Sequence, residues 1–595
     1  MVQYRPEKAR VGANLAAVRE IAEELAGTTD IALFPEAVLS GYFLEGGVED
    51  AALTAAELVD GLGVPSAEAP DLVVGFFELW RHRVHNSAAY LEAAGDRWRV
   101  IHIHRKVFLP TYGLFDEARF VEAGRAIEAF DTRFGRMGIL ICEDMWHSLS
   151  AGILAVGGAR AILVPSASPV RGLGAESAGR PANLRFWDEL AIAAAREHGV
   201  YVAVGQLTGS EGGKLFAGGS VVCGPDGAIT ARGPLWEDGV TPVALDWKTL
   251  DRARADSPLL GDFVRALPYL GRSLISAARA DTPGGSRKRR GAIVEETEDP
   301  EIPAAVADSC ERPVRAFPTR ENLKRELELD LALVERTLVE FLRDELLRRR
   351  GFERAVVGVS GGVDSAVTLA LACRALGPEN VHALRLPYRT SNPESLSHAR
   401  LVTSSLGVAE RTIDITGSVD AYVREHEPEL SPLRRGNVMA RFRAVAIFDQ
   451  SAKLEALPLG TGNKSERLLG YFTWHADDSP PLNPLGDLYK TQVWKLARHL
   501  RIPEPVVSKP ASADLVVGVD DEDELGVPYH DADPILHGLL TGYREHELEA
   551  AGFPASAVAI AARRLRTTHW KRALPAVAVV SSTAIGESFL RPVDY

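Results

Sequence analysis

Residues 358–365, which read Gly-Val-Ser-Gly-Gly-Val-Asp-Ser, have the composition of a turn that binds an anion. The β-branched run at 354–358 predicts a strand before this turn, and the apolar run at 366–373 predicts a helix after it. A Gly-rich turn between strand and helix points backbone N–H groups and the positive end of the helix dipole at one place, where phosphate can bind. It is not a Walker A loop, because no Gly-Lys-Ser/Thr follows. The alternative, a turn without a ligand, would not need the three polar side chains it contains.

Three segments of the first half place reactive side chains where predicted strands end. Glu36 follows Phe-Pro, Lys106 lies in a His-Arg-Lys-Val-Phe-Leu-Pro run, and Cys142 follows an apolar run. A cysteine becomes a nucleophile as its thiolate, and a nearby ammonium lowers the pKa of the thiol. A carboxylate can take the thiol proton and pass it to departing ammonia, while the lysine stabilises an oxyanion. Taken singly, such a cysteine is usually structural and such a lysine or glutamate usually a solvated charge, so the prediction depends on their joint appearance.

A second polar turn, at residues 459–466, follows an apolar run in the second half. Asp364 in the first turn and Glu466 in this one are hard oxygen ligands that can hold Mg²⁺ on a phosphate bound by the first turn. Lys490 can offset phosphate charge in the transition state, although by itself it also fits a surface lysine at a helix start.

The elements that must position these groups form two α/β regions. Strand patterns at 30–34, 71–76, 137–141, 161–164 and 201–204 alternate with helical patterns at 14–26 and 183–198. Periodicity is lost in the Pro-rich residues 281–317, and residues 320–350 predict one long charged helix. Alternating strands and helices from 355 to 406 then predict a doubly wound parallel sheet. The predicted division is a first domain at 1–265, a linker at 266–319 and a second domain at 320–595.

Composition narrows the classes of function. The chain has 595 residues, is 46% hydrophobic and carries a net charge of −14, which supports large cores and disfavours a general nucleic-acid binder. The basic run at 286–290 is interpreted as part of the linker. The four cysteines show no Cys-x-x-Cys spacing and fit a reducing cytoplasm. No signal-peptide pattern and no long apolar run is present, so we expect a cytoplasmic protein without a membrane span.

The first-half motifs resemble those of the nitrilase/amidase superfamily across roughly residues 3–250. The motifs are Phe-Pro-Glu-Ala-Val-Leu-Ser-Gly-Tyr, His-Arg-Lys-Val-Phe-Leu-Pro-Thr-Tyr-Gly-Leu-Phe-Asp-Glu and Cys-Glu-Asp-Met-Trp. The resemblance implies a four-layer α-β-β-α sandwich in which Glu36 is the general base, Lys106 the electrostatic stabiliser and Cys142 the nucleophile. By the same resemblance, Glu117 is expected to be a second, orienting glutamate. Tyr112, Ser168 and Arg171 are expected to bind glutamine. One departure is that only two residues precede Gln3, where family members usually have a full strand; either that strand is truncated or the true start lies upstream.

Second-half motifs resemble the pyrophosphate-loop ATPases, which split ATP into AMP and pyrophosphate, and among them the NAD synthetase family. They are Ser-Gly-Gly-Val-Asp-Ser, Gly-Thr-Gly-Asn-Lys-Ser-Glu, Gly-Asp-Leu-Tyr-Lys-Thr-Gln-Val and Pro-Ala-Ser-Ala-Asp-Leu. The implied fold is a doubly wound parallel sheet of the adenine nucleotide α-hydrolase type. The resemblance implies that ATP is bound by Gly358, Val359, Ser360, Gly361, Gly362, Val363, Asp364, Ser365, Thr461, Lys490 and Ser512. It also implies Mg²⁺ at Asp364 and Glu466, and deamido-NAD at Asn437, Glu466, His569 and Lys571.

Two expected substrate contacts depart from the family pattern. Ammonia-using relatives carry a lysine eight residues after the Mg²⁺ glutamate and an aspartate seven residues later, where this chain has Trp474 and Pro481. Residues 475–481 read as an insertion that alters these contacts, with Asp477 as a substitute.

A nitrilase-like domain in front of a synthetase-like domain predicts a ligase with two sites. Ammonia released from glutamine would amidate deamido-NAD to NAD after ATP has converted the acid to an acyl-adenylate, with AMP, pyrophosphate and glutamate as products. One alternative keeps the class but changes the acid, as in pyrophosphate-loop amidotransferases that make GMP, asparagine or modified tRNA. Another is a binding module without catalysis. By analogy with both families we expect small-molecule partners, no nucleic acid, and a homo-oligomer.

Overall fold

The computed structural model describes residues 1–44, 47–280, 318–511 and 520–573. Residues 281–317 of the linker predicted at 266–319, the basic run within them and Ser512 lie outside these residues. The first domain contains the following strands and helices in chain order: β1 (Val2–Gln3), α1 (Val11–Glu24), β2 (Ile31–Leu33), α2 (Val48–Ala51), α3 (Ala55–Leu62), β3 (Asp71–Trp80), β4 (Arg83–Ala94), β5 (Arg97–Arg105), β6 (Phe130–Thr132), β7 (Gly135–Ile139), α4 (Ser148–Val156), β8 (Ala161–Ser166), α5 (Ala182–His198), β9 (Tyr201–Gln206), β10 (Thr208–Glu211), β11 (Lys214–Ala217), β12 (Val221–Cys223), β13 (Ile229–Arg232), β14 (Gly239–Val240), α6 (Trp247–Asp256) and α7 (Leu259–Ala280).

Two sheets face each other in this domain. One has the order β2-β3-β4-β5 and the other the order β13-β12-β9-β8-β7-β6. Side chains from both sheets, among them Val73 and Leu163, share one core, while the alternate positions of β3, such as Leu72 and Val74, pack under α1 and α3. On the other side, α4 and α5 cover the six-stranded sheet. The predicted α-β-β-α sandwich is therefore confirmed.

Both ends of the first domain carry details beyond the prediction. The short β1 pairs antiparallel with β14, Val2 with Val240 and Gln3 with Gly239. The helix α7 covers the first part of the predicted linker and packs on α4 and α5. Among the helices of the described residues, none combines the length and the apolar character needed to cross a bilayer.

The second domain contains the following elements: α8 (Arg320–Glu326), α9 (Leu331–Arg343), a π-helical turn (Asp344–Arg348), β15 (Arg354–Gly358), α10 (Val363–Leu376), β16 (Val381–Arg385), α11 (Pro393–Leu406), β17 (Ala409–Thr412), α12 (Thr416–His426), α13 (Pro432–Leu454), β18 (Ala456–Leu459), α14 (Lys464–Leu469), α15 (Lys490–His499), α16 (Glu504–Val507), α17 (Asp521–Leu525), α18 (Tyr529–Leu540), α19 (Glu545–Ala550) and α20 (Ala555–Thr567).

Four parallel strands in the order β17-β16-β15-β18 form the sheet of this domain. Along β15 the side chains alternate between two cores: Ala355 and Val357 pack with α9, α10 and α15, and Val356 packs with α12 and α13. Helices on both faces of a parallel sheet confirm the doubly wound architecture. Strand order changes direction between β15 and β18, and ligands bind outside the carboxyl ends of the strands at such a point.

The prediction of one helix across residues 320–350 is wrong. Asp330 interrupts it, because its Oδ1 accepts a hydrogen bond from Leu333 N over 3.1 Å and thereby caps a new helix, α9. Leu329, just before this cap, forms a β-bridge with Gly174 of the first domain. Because the backbone of Leu329 pairs with Gly174 of the first domain, it is not part of a continuous helix.

A second contact between the domains is buried. Ser210 Oγ donates a hydrogen bond to Glu345 Oε1 over 2.6 Å, and both side chains are buried. Together with the bridge at Leu329, this contact fixes the π-helical turn and the start of α9 against the sandwich.

Candidate active sites

Cys142 lies in a short 3₁₀ turn between β7 and α4. Its φ of +44° is in the left-handed region, which residues other than glycine rarely adopt and which is typical of side chains held for a function. Ser166 Oγ, at the end of β8, donates a hydrogen bond to Cys142 Sγ over 3.5 Å. Burial raises the pKa of the Cys142 thiol; Glu36 adds to the rise and Lys106 opposes it. A thiol in this setting stays protonated until a base removes its proton.

The ammonium group of Lys106 is completely buried between two carboxylates. Its Nζ donates hydrogen bonds to Glu36 Oε1 and to Glu117 Oε2, each over 2.7 Å. Burial alone would lower the pKa of Lys106, but Glu117 and Glu36 raise it well above the ordinary value. Burial raises the pKa of Glu36, with Lys106 opposing the rise. The lysine is therefore a fixed positive charge, and Glu36 is a carboxyl group inclined to accept a proton.

Neutral donors hold the two glutamates in place. Asn86 Nδ2 donates to Glu36 Oε1 over 2.8 Å and to Glu117 Oε1 over 2.5 Å, and Tyr42 OH donates to Glu117 Oε2 over 3.1 Å. The backbone N–H of Ala167 donates to the other oxygen of Glu36 over 2.8 Å. Each carboxylate thus has both oxygens engaged, which fixes its orientation in the buried site.

Asp144 connects the strand end that carries the lysine to the turn that carries the thiol. Its Oδ1 accepts hydrogen bonds from Val107 N over 3.0 Å and Phe108 N over 2.9 Å. Its Oδ2 accepts from Ile141 N over 3.1 Å and lies 2.8 Å from His104 Nε2. Because this carboxylate is completely buried, it is a structural centre of the site and not an acid or base in contact with solvent.

The predicted glutamine-binding residues lie around the same turn. Tyr112 is half exposed, and its OH donates to Glu143 Oε2 over 2.8 Å. Ser168 Oγ accepts a hydrogen bond from Asn183 Nδ2 over 3.0 Å. Arg171 has a buried Nη2 atom without a hydrogen-bond partner among the described residues. A guanidinium nitrogen left in this state fits a carboxylate ligand.

The Gly-rich loop of the second domain has the geometry that the sequence predicts. It leaves β15 and enters α10, and Gly361 has a φ of +83°. A Cβ atom at this position would lie 2.1 Å from the carbonyl oxygen of Ser395, so only glycine fits. Ser360 Oγ accepts a hydrogen bond from Gly362 N over 3.2 Å, and Ser365 Oγ donates to Gly362 O over 3.0 Å. The serines therefore hold the turn closed from within.

Asp364, Glu466 and Lys490 come together beside this loop. Lys490 Nζ donates a hydrogen bond to Asp364 Oδ2 and lies 3.7 Å from Glu466 Oε1. Asn463 joins the two acids, because its Nδ2 donates to Asp364 Oδ1 over 3.0 Å and its backbone N–H donates to Glu466 Oε2 over 3.2 Å. Burial and the nearby Asp364 raise the pKa of Glu466 to about 8.

These two acids fit a cation shared with phosphate. Within the described residues, no cluster of three or more His, Cys, Asp or Glu side chains could hold a metal ion by itself. Mg²⁺ usually takes one or two protein carboxylates and completes its shell with water and substrate phosphates. Asn463 holds Asp364 and Glu466 side by side, so a divalent cation bound by both would complete its shell with phosphate oxygens and water.

A buried carboxylate, Asp533 of α18, connects the elements that carry Lys490 and Glu466. Its Oδ1 accepts from Ser465 Oγ over 2.5 Å, and its Oδ2 accepts from Thr491 N over 2.9 Å and Thr491 Oγ1 over 2.7 Å. Ser465 Oγ in turn accepts from Lys490 N over 2.9 Å. Asp533 therefore aligns the first turn of α15 with α14. Burial raises its pKa to about 6.

A cavity at the carboxyl ends of the strands brings most of the predicted nucleotide groups together. The predicted residues that line it are Gly358, Val359, Ser360, Gly362, Val363, Asp364, Ser365, Thr461, Glu466 and Lys490. Three predicted substrate residues, Asn437, His569 and Lys571, do not line it.

The predicted substrate residues outside the cavity are engaged with the protein. Asn437 Oδ1 accepts from Thr473 Oγ1 over 3.1 Å. Asp477, the expected substitute contact, does line the cavity, and its Oδ2 accepts from Thr473 N over 2.7 Å. Lys571 Nζ donates to the carbonyl oxygen of Gly470 over 2.8 Å and to that of Phe472 over 3.0 Å. His569 Nδ1 lies 2.6 Å from the carbonyl oxygen three residues before it.

Trp474, at the position where the relatives have lysine, packs edge-to-face against Trp570 with ring centroids 5.3 Å apart. Its carbonyl oxygen accepts a hydrogen bond from Arg441 Nη2 over 3.2 Å. Pro481 precedes Leu482, which bridges to the end of β18. An aromatic pair thus occupies the place of an expected charged contact.

The sequence reasoning missed several polar groups that the structure places at the two sites: Asn86, Asp144, Asn463, Lys509 and Asp533. Two of them, Asp144 and Asn463, stand inside the quoted motifs, so the motif itself was the available signal. Asn86 follows a histidine in a stretch of small residues and had no comparable signal.

Two family models match separate parts of the chain. Residues 1–255 match the family model described as carbon-nitrogen hydrolase, and residues 334–575 match the one described as NAD synthase. An NH(3)-dependent NAD(+) synthetase from Trichlorobacter lovleyi is 48% identical over 270 residues, which are 45% of this chain and 98% of the relative.

Two solved structures share the fold of nearly the whole chain. A glutamine-dependent NAD+ synthetase from Acinetobacter baumannii, in complex with ADP, is 22% identical with a TM-score of 0.66, covering 97% of this chain and 94% of that one. A glutamine-dependent NAD(+) synthetase from Cytophaga hutchinsonii is 16% identical with a TM-score of 0.61, covering 96% and 92%. The chain therefore belongs to the NAD synthetase family and carries a carbon-nitrogen hydrolase domain in front of its synthetase domain.

Proposed function

We propose that this chain is a ligase that converts deamido-NAD to NAD with ATP, using ammonia that its first domain releases from glutamine. The observation that carries the proposal is that one chain joins a synthetase domain to an assembled site in which a partly exposed thiol stands beside a buried lysine and two buried glutamates. A synthetase that drew only on free ammonium would not need such a site. The division into residues 1–265, 266–319 and 320–595 is part of the proposal.

In the first domain, Cys142 Sγ would attack the amide carbon of glutamine. Glu36 takes the thiol proton and delivers it to the departing ammonia, which suits its raised pKa. Lys106 supplies a fixed positive charge near the oxyanion of the tetrahedral intermediate, and Glu117 holds that lysine in place. Water then attacks the thioester and releases glutamate, with Glu36 again as the base.

Recognition of glutamine is assigned to Arg171, Tyr112 and Ser168. The guanidinium of Arg171, with its unpartnered buried nitrogen, would bind the α-carboxylate. Tyr112 and Ser168 are proposed to contact the rest of the amino-acid end.

In the second domain, the amides of residues 358–365 with Thr461, Lys490 and Ser512 would bind ATP. Asp364 and Glu466 would hold Mg²⁺, which neutralises phosphate charge. The carboxylate of deamido-NAD, held through Glu466, Asn437, His569 and Lys571, attacks the α-phosphorus, and pyrophosphate leaves. Ammonia then attacks the acyl-adenylate and displaces AMP. An acyl-adenylate is needed because a free carboxylate is a poor electrophile.

The two half-reactions can be separated by one substitution. Cys142→Ala should abolish NAD formation with glutamine as donor and leave the rate with ammonium salts within about twofold of the wild type. Cys223→Ala is the matched control, because this buried cysteine lies in β12 outside the site, and it should retain both activities. Loss of both activities in Cys142→Ala, with Cys223→Ala active, would contradict two separate sites.

The acid substrate needs a test of its own. AMP formation should depend on deamido-NAD and should not occur with XMP or aspartate. Turnover of one of those acids in place of deamido-NAD would favour the alternative amidotransferase reading. A cytoplasmic location and assembly into a homo-oligomer stay predictions from composition and family analogy.

A further inference from the structure

Lys509 is a positively charged residue that lines the cavity of the second domain, and the sequence motifs give it no role. It follows α16, lines the cavity that holds the Gly-rich loop, and donates a hydrogen bond from its Nζ to Ser395 Oγ over 2.7 Å. Ser395 lies in the first turn of α11, and its carbonyl oxygen is the atom that restricts position 361 to glycine. Ser395 therefore contacts both the ammonium group of Lys509 and the loop that is proposed to hold the phosphates.

The two lysines at this loop differ in what compensates their charge. Lys490 is engaged by Asp364 and Glu466, so two carboxylates already balance its ammonium. Within residues 318–511 and 520–573, no carboxylate lies within ion-pair distance of Lys509, whose one hydrogen-bond partner there is a neutral hydroxyl. Among these described residues, the charge of Lys509 is thus not balanced by a carboxylate, which suits an anion in the cavity.

We propose that Lys509 binds the β- and γ-phosphates of ATP and holds pyrophosphate as it leaves. This inference rests on the proposed function and adds one residue to it. The carboxylate oxygen of the acid forms a bond to the α-phosphorus, the bond from that phosphorus to the β-bridging oxygen breaks, and pyrophosphate departs with the electron pair. Charge grows on the departing oxygens, where a positive charge from outside the Asp364–Lys490 pair lowers the barrier.

The test measures synthesis from ammonium, so that the first domain plays no part. Lys509→Met keeps the length and loses the charge, and kcat/KM for ATP should fall roughly 10- to 100-fold because a charge-assisted hydrogen bond to phosphate is lost. The KM for deamido-NAD should change by less than about threefold. Lys509→Arg, which keeps the positive charge, should lose less than Lys509→Met, and inhibition by added pyrophosphate should weaken in Lys509→Met.

Two controls separate a phosphate contact from a structural tie. Ser395→Ala removes the observed hydrogen bond but leaves the charge, so it should lower kcat/KM for ATP far less than Lys509→Met does. Lys453→Met, a substitution of an exposed lysine at the end of α13, should match the wild type. An unchanged kcat/KM for ATP in Lys509→Met, or an equal loss in Ser395→Ala, would overturn the inference.

A measurement on the wild-type enzyme covers the case in which Lys509→Met does not fold. Acetylation of Lys509 should be at least about fivefold slower with magnesium pyrophosphate than without it, and an equal rate would refute phosphate contact. Failure of the wild type to form NAD from deamido-NAD, ATP and ammonium would refute the proposed function itself. Wild-type synthesis with an indifferent Lys509 would refute only the role of this lysine.

Discussion

Replacing Asp144 by Asn tests whether one buried carboxylate holds the first site together. The amide oxygen of an asparagine can replace Oδ1 as acceptor for Val107 N and Phe108 N. The amide nitrogen cannot replace Oδ2 as acceptor for Ile141 N or for the His104 ring, so two hydrogen bonds to a buried charge are lost. At about 1.5–3 kcal/mol each, the free energy of unfolding should fall by roughly 3–6 kcal/mol. In a domain of this size that lowers the melting temperature by on the order of 10 °C.

The loss of activity should exceed what the loss of stability explains. Ile141 immediately precedes Cys142, and Val107 immediately follows Lys106, so relaxation at Asp144 displaces the nucleophile relative to the fixed positive charge. A misplacement of about 1 Å can cost around 100-fold in rate. Glutamate release by Asp144→Asn should therefore fall at least about 100-fold at 20 °C, mainly in kcat, while ammonium-driven synthesis continues.

Asp188→Asn is the matched control for this experiment. Asp188 is another buried carboxylate of the same domain, and it accepts hydrogen bonds from Arg180 and Arg232 on the outside of the six-stranded sheet. This variant should lose stability but hydrolyse glutamine at a rate within about threefold of the wild type. Glutamine hydrolysis that is equally fast in both variants while both are folded would refute the positioning role of Asp144.

Three further substitutions test other parts of the structure. Gly361→Ala should abolish AMP formation because its Cβ would overlap a backbone carbonyl oxygen, whereas Gly407→Ala, with a φ of +68° and open space, should cost only about 1 kcal/mol of stability and keep AMP formation. Glu117→Gln should slow glutamate release at least about tenfold and spare ammonium-driven synthesis, because a neutral amide cannot balance the buried ammonium. Asp533 has a folded pKa of about 6, raised by burial, so its stabilising contribution is complete at low pH and is lost as the pH rises through about 6. Asp533→Asn has no such dependence, so in urea denaturation its deficit in stability should be about 2 kcal/mol smaller at pH 7.5 than at pH 4.5, and a deficit that did not change with pH would contradict this.

The architecture was predictable where strands are apolar throughout, and not where the active site interrupts the pattern. The runs around β2, β7, β8 and β9 gave correct strands, because each is buried on both sides in the sandwich. The strand β4 was missed, and only the end of β5 before Lys106 was predicted, although β3–β4 is the longest strand pair of the domain. β4 carries the buried polar residues His85, Asn86 and Ser87, which bind other polar groups of the interior and remove the apolar signal.

Site residues divide along a similar line. Glu36, Lys106 and Cys142 stand in motifs whose order in the chain reports their chemistry, and the structure brings the first two into direct contact. Asp533 has no motif, because its partners belong to α14 and α15 and are brought to it only by packing. Contacts of this kind depend on the distance between helices, which hydrophobic periodicity does not report.

Each site contains a buried lysine between two carboxylates, yet the two trios are suited to different tasks. The glutamates beside Lys106 have all their oxygens engaged by fixed donors, so the surplus negative charge is localised on a group of fixed orientation, and Glu36 can take up one proton without rearrangement. Beside Lys490 the acids have fewer donors: Glu466 accepts from the backbone N–H of Asn463 over 3.2 Å and lies 3.7 Å from Lys490 Nζ. The negative charges of Asp364 and Glu466 exceed the single positive charge of Lys490, which suits a divalent cation with bound phosphates. A proton on Glu466 would instead remove one of the two negative charges that bind such a cation. Both sites therefore contain one ammonium and two carboxylates, but the arrangement of donors favours proton transfer in the first site and cation binding in the second.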